Sequence, residues 1–298
     1  MPPSRRDLLA LANLPLAAQS RPQLGILVAT TYTTGTLESR LDEAKAHGFE
    51  CVQLGLSCAG LPDMPDEIPP HLPATFYAAT KSRNLKFASI QALFNMAHPD
   101  PAHRQSGLHR LRVITEAFPN LPVHIATGTR NTQSMWRTHP DNQTPEAWSD
   151  MLATVREATR IAAATNSILA FEPEINNVAD TARRSRRLLD EVASPHLKIT
   201  LDPANLFPSG TLPKMKEILT EAFELLGKDM VLAHAKDLDH DGDAGHKAAG
   251  EGLLDYPLYL SLLRKHNYTG PLLLHGLTKA QVPTSLAFLK SKLTKPSA

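Results

Sequence analysis

The sequence predicts a single (β/α)8 barrel, and three observations carry that reading. The chain has 298 residues and is 42% hydrophobic, enough for the roughly 250 residues such a barrel takes as one domain. From Gly25 onward, short apolar runs alternate with longer amphipathic stretches and no linker interrupts them; this is the pattern of a parallel sheet with crossover helices. No Gly-x-Gly-x-x-Gly follows the first run, so an open dinucleotide-binding sheet has no support.

Taken in order, the first strand is expected at 25–30. A helix at 37–47 follows and stops at Gly48, where glycine can take the left-handed conformation that closes a helix. The second strand is read at 51–56, then a helix at 73–84. Strand 86–92 precedes helix 106–117, and strand 123–129 precedes helix 145–165. The second half repeats the unit: strand 168–174 with helix 179–192, strand 198–202 with helix 213–227, strand 230–236 with helix 256–266, and strand 271–276 with helix 282–290. The loops at 57–72 and 130–144 are long and rich in Pro, Asp, Asn or His. Loops that follow strands build the site in this architecture, so Arg130, Trp136, Arg137 and His139 are expected to roof it.

Residues 1–22 are read apart from the barrel domain at 23–298. Ser4-Arg5-Arg6-Asp7-Leu8-Leu9 leads into an apolar stretch at 8–18, too short to span a bilayer but suited to the core of a signal peptide. It resembles a twin-arginine export signal, which carries folded proteins and so implies a periplasmic or exported protein; a surface segment of a cytoplasmic protein is the alternative. With Lys+Arg 31 against Asp+Glu 30, no basic excess favours nucleic acid as a partner, and a neutral or weakly charged small molecule fits better. Cys51 and Cys58 match neither a zinc ribbon nor a redox Cys-x-x-Cys and read as ordinary buried thiols.

The chemistry lies where four apolar runs end on a ligand-type side chain: Ile168-Leu-Ala-Phe-Glu172, Ile199-Thr-Leu-Asp202, Val231-Leu-Ala-His234 and Leu272-Leu-Leu-His275. The spacings of 30, 32 and 41 residues are each close to one strand–helix unit, so the same position recurs at the tops of strands five to eight. Residues two apart share a face of a strand, which lets the residue two positions earlier pack the barrel interior beneath each of the four. Acidic and imidazole groups in such a place are costly unless paired or bound to a metal. Two carboxylates and two imidazoles suit Mn²⁺, Co²⁺ or Zn²⁺ ahead of Mg²⁺. The bland readings are an internal salt bridge for Glu172 with Arg130 or Lys236, a turn-forming aspartate before Pro203 for Asp202, and a hydrogen-bonded core histidine for His234.

Phe171-Glu172-Pro173-Glu174, Leu201-Asp202-Pro203-Ala204-Asn205 and His234-Ala235-Lys236-Asp237, followed by Gly250-Glu251-Gly252, resemble the xylose isomerase-like superfamily of sugar-phosphate isomerases and epimerases. Thr127-Gly128-Thr129-Arg130 belongs to the same likeness, which covers nearly the whole chain after Gln23. The resemblance implies a divalent metal held by Glu172, Asp202 and His234, with Glu172 also an acid/base in proton transfer beside a ketose carbonyl through an enediolate. The family pattern ends its last strand in Glu, whereas this chain has His275. His275 is therefore either the fourth ligand or the second acid/base, and a two-glutamate proton relay is in doubt. Asn205 stands where many relatives carry a histidine. Glu174, Asn205, Lys236 and Arg130 are the candidate contacts to a sugar-like substrate.

The leading expectation is thus a metal-dependent isomerase or epimerase of a sugar or keto-sugar. A metal-dependent lyase, dehydratase or hydrolase on a keto-sugar, inositol or sugar acid is the alternative within enzymes. A non-catalytic sugar-binding barrel and a structural subunit of a larger enzyme are the alternatives outside them.

Overall fold

The structure is a computed structural model that describes residues 21–293; the twin-arginine motif lies outside them. The barrel strands are β1 (Gln23–Leu27), β2 (Cys51–Leu54), β3 (Lys86–Gln91), β4 (Pro122–Ala126), β5 (Ile168–Glu172), β6 (Leu197–Leu201), β7 (Met230–Asp237) and β9 (Pro271–Leu274). Each pairs in parallel with its neighbour, and the sheet closes because β9 pairs with both β7 and β1 while β6 pairs with β7. A two-residue strand, β8 (Lys247–Ala248), adds to β7 antiparallel through Lys236 and Asp237; no sequence pattern announced it.

Helices fill the crossovers: α1 (Val28–Thr31), α2 (Leu37–His47), α3 (Leu72–Ser82), α4 (Pro101–Ala117), α5 (Pro145–Ala164), α6 (Ala182–Val192), α7 (Met215–Leu226), α8 (Tyr256–Lys265) and α9 (Val282–Leu293). Their starts obey capping chemistry more than hydrophobic period. The α4 helix begins before the expected 106 because the Asp100 carboxylate accepts from Ala102 N at 2.8 Å and Pro101 needs no N–H partner. The α6 helix begins after the expected 179 because Thr181 caps it, accepting from Arg184 N at 3.2 Å. Several strands stop short of their expected ends, β1 among them, where the single turn α1 takes over.

Inside the barrel, Cys51, Ala88, Ala170, Leu232 and Leu273 form a cluster separate from the main core between sheet and helices. Ala170, Leu232 and Leu273 are the residues two positions before Glu172, His234 and His275, so the apolar floor lies directly under the polar ring. Thr200, two before Asp202, is instead polar and bonds His124 Nδ1 at 3.0 Å. The floor is tight enough to demand glycine at β1: a Cβ on Gly25 would come within 2.5 Å of Cys51 Sγ and 2.6 Å of Leu273 Cδ2. Both cysteines are free and buried, and burial pushes the Cys51 thiol up to about 12.

Candidate metal centre

The polar ring stands on this floor at the C-terminal ends of β5, β6, β7 and β9. Asp202 divides its carboxylate between two tasks: one oxygen accepts from Ala204 N at 3.0 Å and caps the short turn Pro203–Asn205, while the other faces the barrel axis. The turn-forming aspartate and the site aspartate are thus the same residue. His234 is fixed from two sides, its backbone oxygen accepting from Tyr259 OH at 2.9 Å and its Nε2 lying 3.3 Å from Gln53 Oε1. With Nε2 turned to Gln53, Nδ1 is the ring nitrogen that faces Asp202.

Asp202 Oδ2, His234 Nδ1 and His275 Nδ1 converge: ligand atoms of these three residues all lie within 4.8 Å of one another. Asp202 Oδ2 is 3.5 Å from His234 Nδ1 and 3.6 Å from His275 Nδ1. All three atoms are buried without a hydrogen-bond partner. The Lys236 ammonium sits 3.1 Å from Asp202 Oδ2, an ion pair outside hydrogen-bond geometry. Buried ligand-type atoms without a hydrogen bond, aimed at one point, are what a divalent cation would satisfy. An oxygen and two imidazole nitrogens suit a divalent transition metal.

Glu172 stands directly beside this set. Its Oε2 is 3.7 Å from His234 Nδ1 and 3.3 Å from His124 Nε2, and its Oε1 accepts from Asn205 Nδ2 at 2.5 Å. Burial by itself would raise the Glu172 carboxyl, but the His234 charge, the contacts with His124 and His234, and Lys236 hold it well below the usual range. The same competition sets the other groups. Burial is outweighed at Asp202 by Lys236, His234 and His275, and its carboxyl stays ionised. At His234, burial is overcome by Glu172 and Asp202, which raise the imidazole to about 9. At His275, burial prevails over Asp202, with Lys236 and His234 adding to it, and the imidazole falls to about 4. Two buried carboxylates thus ask for positive charge at the point where His234 and His275 meet them.

Above the ring lies a cavity of about 410 Å³ whose lining includes Glu172, Glu174, Asn205, Lys236 and His275. Glu174 is buried in it, and burial together with repulsion from Glu172 pushes its carboxyl up to about 8. Trp136, half exposed, reaches the cavity from the 130–144 loop. Arg130 does not line it: its guanidinium is drawn to Asp150 Oδ2 at 2.6 Å and the Ala97 carbonyl at 3.2 Å. Arg137 and His139 are likewise not among the described lining residues.

The structure adds residues that the strand-end pattern passes over. His124 touches Glu172 from β4, Thr200 orients His124, and Gln53 orients His234. His124 had a readable signal, an imidazole in the middle of the otherwise apolar run Pro122–Ala126. Asp243 and His246 line the cavity from the loop between β7 and β8, which had none.

The chain belongs to the xylose isomerase-like TIM-barrel family, which matches residues 41–292. No curated protein matches it in sequence. Among solved structures it is similar to a D-tagatose 3-epimerase-like protein, at 17% identity and TM-score 0.73, over 91% of this chain and 97% of that one. It is also similar to 3-keto-D-glucoside 4-epimerase from E. coli, at 17% identity and TM-score 0.68, over 91% and 100%. A third is a probable 3-DHS dehydratase from Bacillus anthracis, at 14% identity and TM-score 0.68, over 90% and 98%. At these identities the likeness establishes the fold, a single (β/α)8 barrel. Among the described residues no helix is long and apolar enough to cross a membrane.

Proposed function

We propose that this protein is a divalent-metal-dependent isomerase or epimerase of an unphosphorylated sugar or keto-sugar. The observation that carries the reading is the convergence of three buried atoms without a hydrogen bond, Asp202 Oδ2, His234 Nδ1 and His275 Nδ1, at the base of a polar cavity. Those three residues would hold the ion, with Glu172 beside it; the donor set favours Mn²⁺, Co²⁺ or Zn²⁺ over Mg²⁺. When bound, the ion supplies Lewis-acid stabilisation of negative charge on a substrate oxygen.

The chain's own residues do the rest. Glu172 is ionised and borders the cavity, so it is the base that takes a proton from the carbon beside the carbonyl. Asn205 and His124 hold its two oxygens and keep it from rotating away. Lys236 and Asn205 are placed to bind substrate hydroxyls, and Trp136 can cover the apolar face of a ring. Phosphate is disfavoured because no arginine is among the described residues lining the cavity, and Lys236 is already paired with Asp202. Family membership and the sugar epimerases among the similar structures support the same class.

A metal-dependent lyase or dehydratase is the second reading, favoured by one specific feature. The last barrel strand closes the ring with imidazole His275, so proton removal has a carboxylate at Glu172 and no second carboxylate across from it on β9. A screen of ketoses, keto-sugars and inositols in D₂O with Mn²⁺, Co²⁺ or Zn²⁺ separates the outcomes. Deuterium at the carbon beside the carbonyl with inverted or isomerised product supports the first reading. Elimination product supports the second, and no exchange in metal-loaded protein overturns both.

The twin-arginine segment belongs to the same proposal as an export signal. Detection of the mature protein only in the cytoplasm, with residues 1–22 retained, would dismiss it.

A further inference from the structure

The loop joining β7 to β8 holds a second group of ligand-type side chains, outside the barrel ring. Asp239 Oδ1 lies 2.5 Å from His240 Nδ1 and 3.0 Å from His246 Nε2. Ligand atoms of the three residues fall within 4.8 Å of one another. The second carboxylate oxygen is taken by Lys247 Nζ at 2.9 Å, which turns Oδ1 toward the two imidazoles. We propose that Asp239, His240 and His246 form an accessory site for a divalent transition-metal ion, Zn²⁺ being the natural probe.

The donor chemistry selects the ligand class. Two imidazoles and one carboxylate oxygen suit Zn²⁺, Co²⁺ or Ni²⁺, whereas Ca²⁺ and Mg²⁺ prefer oxygen throughout. All three residues are solvent-exposed, so ligation costs little desolvation, and water completes the coordination sphere.

Preorganisation strengthens the case, because a loop that must be ordered on binding gives up affinity. This loop is already fastened along its length. Gly242 N donates to the Phe207 carbonyl at 2.9 Å, and Leu212 N donates to Asp241 Oδ2 at 2.7 Å. Asn176 Nδ2 donates to Asp243 Oδ1 at 2.8 Å, and Gly245 N to Asn205 Oδ1 at 2.9 Å. The β8 pairing of Lys247 with Asp237 closes the far end. The three ligand atoms therefore meet without a large rearrangement.

The site also has a place in the molecule. His246 and Asp243 line the cavity above the barrel ring, and Gly245 hangs from Asn205, the residue that holds Glu172. An ion at Asp239, His240 and His246 would stiffen this wall of the cavity. The inference does not rest on the proposed reaction, since no ligand is shared with the Asp202 set.

The test is equilibrium dialysis of the full chain against Zn²⁺ alone, with bound zinc counted per chain, beside the His240→Ala variant. His240 is exposed and is not among the residues lining the cavity, so this change leaves the fold intact. Wild type is expected to hold one equivalent more than His240→Ala, and a His234→Ala chain to retain that equivalent. Hydrogen exchange across 238–247 should slow about tenfold in wild type at zinc tenfold above its Kd, and not in His240→Ala. Equal zinc in wild type and His240→Ala would overturn the site, whatever the barrel ring binds.

Discussion

His234 Nδ1 and Asp202 Oδ2 face each other at 3.5 Å across the top of the barrel, and neither atom is in a hydrogen bond. They come from strands 32 residues apart, yet closure of the sheet brings them to one point beside His275. Removing bound metal from such a pair leaves buried charges to be balanced by protons. Chelation is therefore predicted to lower Tm, and Mn²⁺, Co²⁺ or Zn²⁺ to restore it; at metal 100-fold above Kd the stabilisation is about 2.7 kcal/mol. The His234→Ala variant should show no such response from the barrel site. An unchanged Tm and no uptake by wild type would dismiss the ring as a metal centre.

Glu172→Gln keeps the volume and the Asn205 contact but removes the negative charge. Exchange of substrate protons in D₂O should drop by about 10²–10⁴-fold, the usual contribution of a positioned base, while the circular dichroism spectrum stays that of wild type. A variant retaining more than a tenth of wild-type exchange would assign the base elsewhere.

Asn205 joins Glu172 Oε1 to Gly245 N. Asn205→Ala frees both, so kcat is expected to fall about tenfold or more and amides at 242–246 to exchange faster. Hydrogen exchange distinguishes this from simple loss of a substrate contact, which would raise KM and leave the loop protected.

Asp229 ties the start of β7 to α6 and β6 through Arg186 Nη1 and Lys198 Nζ, each at 2.7 Å. Burial opposes its charge, but the hydrogen bonds from Lys198 and Arg186 hold the carboxyl below its ordinary value. A depressed folded pKa contributes stability above the unfolded value, about 3.9, and that contribution is lost as pH falls through the folded one. Asp229→Asn should therefore cost about 1–2 kcal/mol at pH 7 in urea titrations, with the gap from wild type narrowing below about pH 4. A gap independent of pH would show that packing, not charge, is lost.

Gly25→Ala adds a methyl where Cys51 and Leu273 leave no room. Overpacking of this kind costs about 1–3 kcal/mol, measurable as a shift in the urea midpoint. Pairing it with Cys51→Ala should recover part of the loss, since the Sγ is the nearest obstacle; no recovery would place the strain in the backbone contact with the Cys51 carbonyl.

The sequence by itself determined the closed eight-fold alternation and the four strand ends bearing Glu172, Asp202, His234 and His275. Both follow from local periodicity: a strand alternates faces every residue, so a ligand-type side chain recurring at the end of each apolar run must point the same way. Tertiary structure alone decided how the four divide. Closure set His275 with Asp202 and His234, and left Glu172 in the grip of His124 and Asn205. It also drew Arg130 to Asp150 and away from the cavity, while Trp136 from the same loop reached in. Gln53 and His234 are 181 residues apart, and nothing in the local pattern of either strand encodes their meeting. Which side chains complete a site is settled by distances across a closed barrel, and those exist only once every strand is in register.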